Sequence, residues 1–388
     1  MQSTTVDPTL PIPNLLRVFA TVPDPRTCRG RRYSVATLLT IAVAGILANH
    51  TSVLAIAEWA ATVRGYARAR LGLPAAATPH QTTFARLFRR IDPAAVTIAL
   101  TQAFDPRRPM VLPPRGQTGI ALDGKTHRRR RALARTSGAP IHMVSLVDHV
   151  RGIILAQQPV TAGASEASMT LPLIAQISWT GRVLTGDALH CQTALCTAVI
   201  AAGSDYLLRV KANQPRLFQD IQWLFAEPEQ LDDQRTAQVI QRGHGRREHR
   251  QIVVSSDLAG YSPWPALAQV FRITRTWWTA DGTKRSAIRY GITSLPASSG
   301  SAADLLRLFQ GHWTIENRVH YVKDQALGED ASPIYRDHGP DVMAILRDSA
   351  LNLIRRAGHR SVAAALRHYS RDSRAALTLV GVLRSENA

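Results

Sequence analysis

The chain of 388 residues is long enough for two or three folded domains. Hydrophobic residues make up 45% and charged residues 19% of the chain, which is typical of folded proteins and argues against disorder. The net charge of +19 at pH 7 predicts a polyanionic partner, either nucleic acid or an anionic membrane. The longest apolar stretch, Val35–Ala48, is too short to span the roughly 30 Å hydrocarbon layer of a bilayer, so nucleic acid is favoured.

The N-terminus and the cysteines bear on the compartment. Residues 1–13 show neither a basic start followed by an apolar stretch nor a cleavage pattern, so the sequence predicts a cytoplasmic protein. The three cysteines, Cys28, Cys191 and Cys196, form no CxxC pair and fit a reducing compartment. Cys191 and Cys196 stand beside His190, but no second cluster supplies further zinc ligands, so both are interpreted as core thiols.

The N-terminal part, residues 1–110, is predicted to be an all-helical domain. Apolar periodicity and proline breakers predict the helices Leu15–Phe19, Val35–Ala48, Val53–Leu71, Gln81–Ile91 and Ala94–Phe104. This part is short of acids and rich in arginine. The arginines are Arg26, Arg29, Arg31, Arg32, Arg64, Arg68, Arg70, Arg86, Arg89 and Arg90. Any one of them is more often a solvated surface residue, but their summed excess predicts binding to nucleic acid.

A second domain is predicted from residue 111, where the pattern changes from helical to strand-like after a proline-rich joint. Its first part, residues 111–235, is predicted to hold three consecutive strands and then alternating helices and strands. The strands are Gly119–Asp123, Ile141–Val147, Ile153–Val160, Arg182–Thr185 and Asp205–Val210, and the helices are Glu166–Ile177 and Gln192–Ala202. This order predicts a mixed sheet covered by helices, in which the ends of the first and fourth strands are neighbours if those strands pair.

Residues 236–296 are predicted to form a β-rich insertion, and residues 297–388 to complete the fold with helices. The insertion contains the predicted strands Glu248–Val254, Val270–Thr276 and Ala287–Thr293. The predicted helices are Gln310–Lys323, Asp341–Arg356 and Ser361–Tyr369.

Three acidic residues stand in local contexts that suit one metal site. Asp123 and Asp187 each close an apolar strand, and Glu316 lies on the first of the C-terminal predicted helices. Seven residues are almost two helical turns, so Glu316 and Lys323 are expected to face one cleft, with His320 between them. Two divalent cations about 4 Å apart, held by carboxylates, activate an attacking hydroxyl and stabilise a leaving oxygen at phosphorus. Taken singly, such an Asp is more often a turn or cap residue, and such a Glu more often solvated.

Several blocks, in order along the chain, resemble the DDE-type insertion-sequence transposases, in the branch that includes the H-repeat-associated proteins. The blocks are Leu122–Thr126, Leu184–Gln192, Asp205–Gln214, His244–Arg246 with Glu248, Gly311–Asn317 and Gly328–Asp330. Asp24–Arg26 and Pro79–Phe84 resemble the helical segment associated with that transposase domain. The resemblance covers nearly the whole chain.

The resemblance implies an α/β fold: an RNase H-like mixed sheet with flanking helices, interrupted by a β-rich insertion and preceded by an all-helical N-terminal domain. It implies that Asp123, Asp187 and Glu316 are catalytic and hold two Mg²⁺ ions, with Mn²⁺ as a substitute. The implied function is strand cleavage and strand transfer at the terminal inverted repeats of an insertion sequence. The implied partners are double-stranded transposon ends and target DNA, bound by a homodimer that synapses two ends in the nucleoid.

Two departures from the family pattern leave other functions open. Related transposases carry a Tyr and an Arg where this chain has Phe309 and His312, and losing those groups weakens the expected grip on phosphate. The alternatives are a transposase-derived DNA-binding protein without cleavage activity and a structure-selective nuclease.

Candidate DNA-binding residues lie within or beside these blocks. They are Lys125, Lys211, Asn213, Gln214, His244, Arg246, His312, Asn317, His320 and Lys323. Lys211, Asn213 and Gln214 either bind the DNA backbone or order the active site, or they cap the next helix. His244 and Arg246 either meet the transposon end or form a tight turn that feeds a strand.

Overall fold

A computed structural model describes residues 13–28, 31–104, 117–126, 142–160, 166–227, 231–243, 246–279 and 281–384. Helices precede, flank and follow one mixed sheet. The first helices are α1 (Leu15–Phe19), α2 (Val35–Leu47), α3 (Val53–Thr62), α4 (Gly65–Arg70), α5 (Gln81–Arg90) and α6 (Pro93–Phe104). The strands are β1 (Thr118–Thr126), β2 (His142–Asp148), β3 (Ile154–Pro159), β4 (Arg182–Gly186), β5 (Asp205–Val210), β6 (Arg235–Gly243), β7 (Arg246–Ser255), β8 (Gln269–Trp278) and β9 (Lys284–Thr293).

The remaining helices cover the sheet or follow it. They are α7 (Glu166–Ile174), α8 (Thr193–Ala201), α9 (Pro215–Leu224), α10 (Ala302–Gly311), α11 (Tyr321–Gln325), α12 (Gly339–Arg356), α13 (Val362–Arg371) and α14 (Ser373–Leu379). A 3₁₀ turn, Ala188–His190, follows β4, and a π-helical segment, Glu316–His320, leads into α11. None of the helices in the described ranges is long and apolar enough to cross a membrane.

The nine strands form a single sheet in the order β3-β2-β1-β4-β5-β9-β8-β7-β6. β1 pairs with β4, and β4 with β5, in parallel, while the other neighbours are antiparallel. The mixed α/β character is therefore confirmed. The first and fourth strands pair, which was the condition for their ends to be neighbours. The strands of the predicted insertion continue the same sheet, because β9 pairs with β5.

The largest apolar core joins both ends of the described chain. Phe19 and Leu39 from the first helices share it with Leu346 and Leu377 from α12 and α14. Side chains from β1, β2 and β3 also contribute, so this helical layer packs on one face of the sheet. Two further cores lie between the sheet and α7–α9, and between β5, β7, β8 and α10. The domain boundaries at residues 110, 235 and 296 stay predictions.

Several predicted elements were wrong in extent. The predicted helix Val53–Leu71 is two helices, because the chain turns at Gly65 with φ +55°, a conformation that favours glycine. The predicted helix Gln310–Lys323 is interrupted after α10 and continues as π-helix and α11. β6, α9 and α14 were not predicted. β6 has a half-exposed sequence, Arg-Thr-Ala-Gln-Val-Ile-Gln-Arg-Gly, whose apolar signal is weak.

Candidate active site

Asp123 and Asp187 lie side by side at one edge of the parallel part of the sheet. Leu122 on β1 is in register with Gly186 at the end of β4, and the next residues in the chain are Asp123 and Asp187. The Asp123 Oδ1 accepts a hydrogen bond from its neighbour's backbone, Gly124 N–H, at 2.9 Å. The Asp187 Oδ1 accepts one from Leu189 N–H at 2.9 Å and so begins the 3₁₀ turn. The register brings the two carboxylates together on one face of the sheet.

Glu316 reaches the same place from the helical side. The Nδ1 of His320 lies 3.0 Å from the Glu316 Oε2 and 3.9 Å from the Asp123 Oδ2. Asp123, Glu316 and His320 each offer one ligand atom, and these three atoms lie within 4.8 Å of one another, close enough to hold one metal ion. The prediction placed His320 against DNA; the structure places it inside the acidic cluster, with 6% of its side chain exposed.

Burial makes the Asp123 carboxylate a poor place for an uncompensated negative charge. Its pKa is raised, chiefly by desolvation, and the nearby Asp187 charge raises it further. His320, the hydrogen bond from Gly124 and His190 act in the opposite direction. A bound cation would favour the ionised carboxylate, because an adjacent positive charge offsets both the burial and the second acid.

Lys323 does not face this cleft, and the prediction that it does is wrong. Its side chain is only 3% exposed, with Nζ 2.8 Å from the Asp348 Oδ1 and 3.2 Å from the Glu329 Oε1. Burial acts to lower the pKa of Lys323, but the two carboxylates outweigh it and the pKa is raised. The π-helical turn explains the error: its i→i+5 hydrogen bonds add about one residue to the turn, which rotates later side chains by about 100° relative to an α-helix.

Lys125, another predicted DNA-binding residue, is also engaged within the protein. Its Nζ lies 2.6 Å from the Asp324 Oδ2 and 3.9 Å from the Glu329 Oε2. It also donates to the backbone oxygen of His320 at 3.4 Å. Lys125 thus ties β1, two residues beyond Asp123, to the segment that carries Glu316.

A cleft of about 660 Å³ opens over the three acids. His312, Trp313 and Asn317 line it beside Glu316, and Trp313 is 63% exposed. Five arginines line it as well. Arg318 lies on the π-helical segment, and the other four lie on strands: Arg209, Arg250, Arg275 and Arg289. Sequence reasoning missed these arginines, although their alternation with apolar residues along predicted strands was a usable signal.

A chain of buried and partly buried side chains joins His312 to the sheet. The Thr185 Oγ1 lies 3.2 Å from the His312 Nδ1 and 2.9 Å from the His149 Nε2. Burial, with the neighbouring His312 and Arg307, lowers the pKa of His149 to about 3, and burial lowers the pKa of His312 to about 4. His149 was missed by the sequence analysis.

Two glycines make room for the His149 ring. A Cβ added to either Gly119 or Gly311 would overlap the ring. A glycine inside a strand often marks such a close approach, so Gly119 within the predicted first strand was the available signal. The ring therefore packs between β1 and the end of α10 and sets the distance between them.

The turn after β5 braces the loop that carries Asp187. Asn213 Nδ2 donates to the Ala188 oxygen at 2.7 Å, and Gln214 Nε2 donates to the Cys191 oxygen at 2.8 Å. Gln214 stands at the N-cap of α9 but makes no side-chain cap hydrogen bond there. Of the alternatives for these two residues, the structure therefore favours ordering of the active site over capping. Lys211 is exposed.

The side chains of two predicted DNA-binding residues, His244 and Arg246, are outside what the structure describes. His244 lies outside the described residues. Arg246 begins β7 and pairs through its backbone with Gly243 on β6. Their role at a transposon end stays a prediction.

Comparison with known families identifies the class to which this fold and site belong. The transposase DDE domain matches residues 114–353, and the family described as DDE_Tnp_1-associated matches residues 16–103. The first match covers more than half of the chain, which therefore belongs to the DDE transposase domain family. The branch is the one that includes the H-repeat-associated proteins, as the sequence blocks indicated.

Curated relatives agree with this assignment. "Uncharacterized protein in dhlA 3'region" of Xanthobacter autotrophicus is 29% identical over 66% of this chain and 86% of its own. "Putative transposase YncI" of Escherichia coli O157:H7 is 31% identical over 61% of each chain. "H repeat-associated putative transposase YhhI" of Escherichia coli K12 is 26% identical over 61% of this chain and 63% of its own. The chain thus spans less than two thirds of the length of these Escherichia coli relatives.

One solved structure is similar over most of the chain. It is a cryo-EM structure of a piggyBac transposase synaptic complex with hairpin DNA, matched over 99% of this chain and 83% of that one. The sequence identity is 10% and the TM-score 0.41, too low to support a conclusion about the fold.

Proposed function

We propose that this chain is a DNA transposase that cleaves DNA at the terminal inverted repeats of an insertion sequence and transfers the freed strand to target DNA. Membership of the DDE transposase domain family supports a transposase function. The observation that carries the proposal is the meeting of Asp123 and Asp187, from adjacent parallel strands, with Glu316 in one cleft. Carboxylates grouped in this way are the ligands that two-metal phosphoryl transfer requires.

Asp123, Glu316 and His320 are the residues that would hold a divalent cation, with Asp187 beside Asp123 to share a second one. The carboxylate oxygens suit both Mg²⁺ and Mn²⁺, and the imidazole of His320 is an additional nitrogen donor, so the acidic part of the donor set fits both ions. When bound, such ions polarise the phosphodiester and lower the pKa of an attacking water or hydroxyl. The chain itself supplies the orientation: His320 holds the Glu316 carboxylate, and backbone N–H groups hold the two aspartates.

The order of β1–β5 supports the RNase H-like assignment. Three antiparallel strands, β3-β2-β1, are followed in the sheet by two parallel strands reached through helices α7 and α8. Asp187 follows the carboxyl end of β4, and Asp123 lies within β1, one residue past the parallel pairing of β1 with β4. Ligands bind at this edge in open α/β sheets.

The helical N-terminal region is proposed to recognise the ends of the element. On α5 the apolar residues Phe84, Leu87 and Phe88 are buried, while Arg86 and Arg89 are exposed on the opposite side. A short helix with one basic face can contact phosphates or enter a groove. The proposed partners are double-stranded transposon ends and target DNA, and synapsis of two ends requires two copies of the chain.

Replacing Asp123 with Asn tests the catalytic assignment. Wild-type protein, incubated with Mg²⁺ and an end-labelled duplex carrying the element's terminal repeat, is expected to release a cut strand. Asp123→Asn removes a metal ligand and is expected to lower the rate by a factor on the order of a thousand or more, with DNA affinity retained. Asp257→Asn, at an exposed acid outside the cleft, is the matched control and should cut at the wild-type rate. Equal cutting by Asp123→Asn and wild type would refute the proposal.

A second candidate is a DNA-binding protein of the same family that does not cleave. Phe309 packs edge-on against Phe271 at 5.9 Å, and Lys323 is buried, so neither presents a polar group to phosphate in the cleft. Wild-type protein that binds the duplex but leaves it intact with both Mg²⁺ and Mn²⁺ would favour this candidate. A structure-selective nuclease would instead cut without joining the freed strand to target DNA.

A further inference from the structure

The four arginines that strands contribute to the cleft, Arg209, Arg250, Arg275 and Arg289, are called here the arginine face. We propose that the arginine face binds the sugar–phosphate backbone of the DNA strand that passes through the active site. This inference deepens the proposed function and rests on it for the nature of the polyanion.

Strand register places the four side chains on one surface. Arg250 on β7 is directly opposite Arg275 on β8, and Arg275 is opposite Ala287 on β9, two residues before Arg289. Gly291, two residues further, is opposite Arg209 on β5. Side chains alternate between faces with a period of two, so all four arginines project from the same face.

The same register continues to the acids. Leu122, Gly186 and Leu208 form a row across β1, β4 and β5. The next residues on those strands are Asp123, Asp187 and Arg209, which therefore stand side by side on one face. A strand whose reacting phosphate lies at the two aspartates would place its neighbouring phosphates along the arginine face.

The arginine face carries more positive charge than the protein neutralises. Glu248 pairs with Arg250 and lies 2.5 Å from Arg275. Within the described parts of the chain, no carboxylate lies at ion-pair distance from Arg209 or Arg289. Desolvation lowers the pKa of Arg209 and Arg289 lowers it further, while the Asp187 charge acts in the opposite direction. Desolvation, with Arg275 and Arg289, also lowers the pKa of Arg250 against the effect of Glu248. Guanidinium groups held together in a partly desolvated cleft favour a bound polyanion.

The opposite face of the same strands is different. There Arg272 donates to the Phe225 oxygen at 2.6 Å and lies over the Phe225 ring. Arg247 lies over the Trp278 ring at 5.5 Å, is exposed and stands opposite Arg242 on β6. The opposite face therefore also carries basic side chains, but the acids project from the side of the arginine face.

Salt dependence of DNA binding tests the proposal without relying on catalysis. The probe is a labelled duplex of about 30 base pairs carrying the element's terminal repeat, titrated in EDTA between about 50 and 200 mM salt. The variants are Arg209→Gln, Arg289→Gln and the double variant. They are chosen because no described carboxylate lies at ion-pair distance from either arginine, so neither substitution leaves an acid without its ion pair. Each is expected to reduce the slope of log affinity against log salt by about one, and the pair by about two.

Arg247→Gln is the matched control, because it removes an exposed arginine from the opposite face. Its slope should stay at the wild-type value. Arg289→Lys should keep most of the slope, which separates loss of charge from loss of fold. The proposal is overturned if Arg289→Gln keeps the wild-type slope, or if Arg247→Gln lowers it as much.

The outcomes separate this inference from the proposed function. If the variants reduce the slope but the wild-type protein never cuts DNA, the result supports DNA binding by the arginine face and refutes the proposed transposition chemistry. Wild-type slopes in variants of a protein that does cut DNA would refute the arginine face and leave the proposed function standing.

Discussion

The two sides of the cleft are built differently. On the sheet side, Asp123 and Asp187 are positioned by backbone hydrogen bonds between adjacent strands. On the helical side, Glu316 is positioned by a π-helical segment that is anchored beneath by the buried Lys323–Glu329–Asp348 cluster. In a strand, side chains alternate between the two faces of the sheet with a period of two, so register fixes the face onto which each one projects. In a helix, one extra residue in a turn changes the direction of every side chain after it. Positions at strand ends are therefore easier to predict than positions along a helix.

The largest effect is expected from breaking the anchor on the helical side. Lys323→Met leaves Glu329 and Asp348 buried without their shared cation, and is expected to lower the free energy of unfolding by about 3–5 kcal/mol. Urea unfolding followed by circular dichroism measures this loss. Lys211→Met, at an exposed lysine beside the sheet-side brace, should change stability by less than about 0.5 kcal/mol. Equal urea midpoints for Lys323→Met and wild type would show that the cluster does not anchor the segment.

An intermediate effect is expected where the two sides meet, at His149 and His312. Their pKa values are lowered to about 3 and about 4 in the folded protein. Between these values and the unfolded pKa of about 6.5, the unfolded chain takes up protons that the folded protein does not. The free energy of unfolding should therefore fall as the pH drops below about 6.5, and keep falling until these folded-state pKa values are reached. Between pH 6.5 and 5 each histidine contributes at most about 2 kcal/mol, because partial solvent screening reduces the value.

His149→Gln isolates this contribution. The amide can still bond to Thr185 but does not titrate, so the dependence of unfolding free energy on pH should become shallower between pH 6.5 and 5. Urea titrations at a series of pH values measure it. Parallel curves for His149→Gln and wild type would mean that His149 is not responsible.

The smallest effect is expected on the sheet side, at the brace under Asp187. Asn213→Ala removes the hydrogen bond to the Ala188 oxygen and should cost about 1 kcal/mol. Amide hydrogen exchange should speed up most at Leu189, whose N–H bonds to Asp187. Lys211→Ala, two residues earlier and exposed, is the control. Unchanged exchange at Leu189 in Asn213→Ala would contradict a bracing role.

Much of the sheet was predictable because its signals are local. β1, β4 and β5 are short apolar runs bounded by turn residues, and the aspartate that follows β4 closes its run in the sequence itself. Pairing of the first and fourth strands was stated as a condition, and the structure confirms it. Neither the order of β6–β9 nor their continuity with β5 was predicted, because register depends on long-range hydrogen bonds.

The candidate site was predictable only in part, for a different reason. The π-helical turn leaves no signature in the spacing of Glu316 and Lys323, and so the sequence placed Lys323 in the cleft. Which cations are neutralised inside the fold also depends on partners far along the chain: Lys125 pairs with Asp324, and Lys323 with Asp348. By contrast, the arginine face follows from register alone once the strands are known.

The shared core of the first and last helices couples the two ends of this chain. Leu15 N–H donates to the Val380 oxygen at 3.0 Å, Asn14 Nδ2 donates to the Gly381 oxygen at 2.8 Å, and Trp59 Nε1 donates to the Ser373 Oγ at 3.1 Å. The helices proposed to recognise DNA therefore cannot be moved to a relative as an isolated cassette. A chimaera that changes them would have to carry α12–α14 along, so that changes in end recognition and in the C-terminal helices should be inherited together.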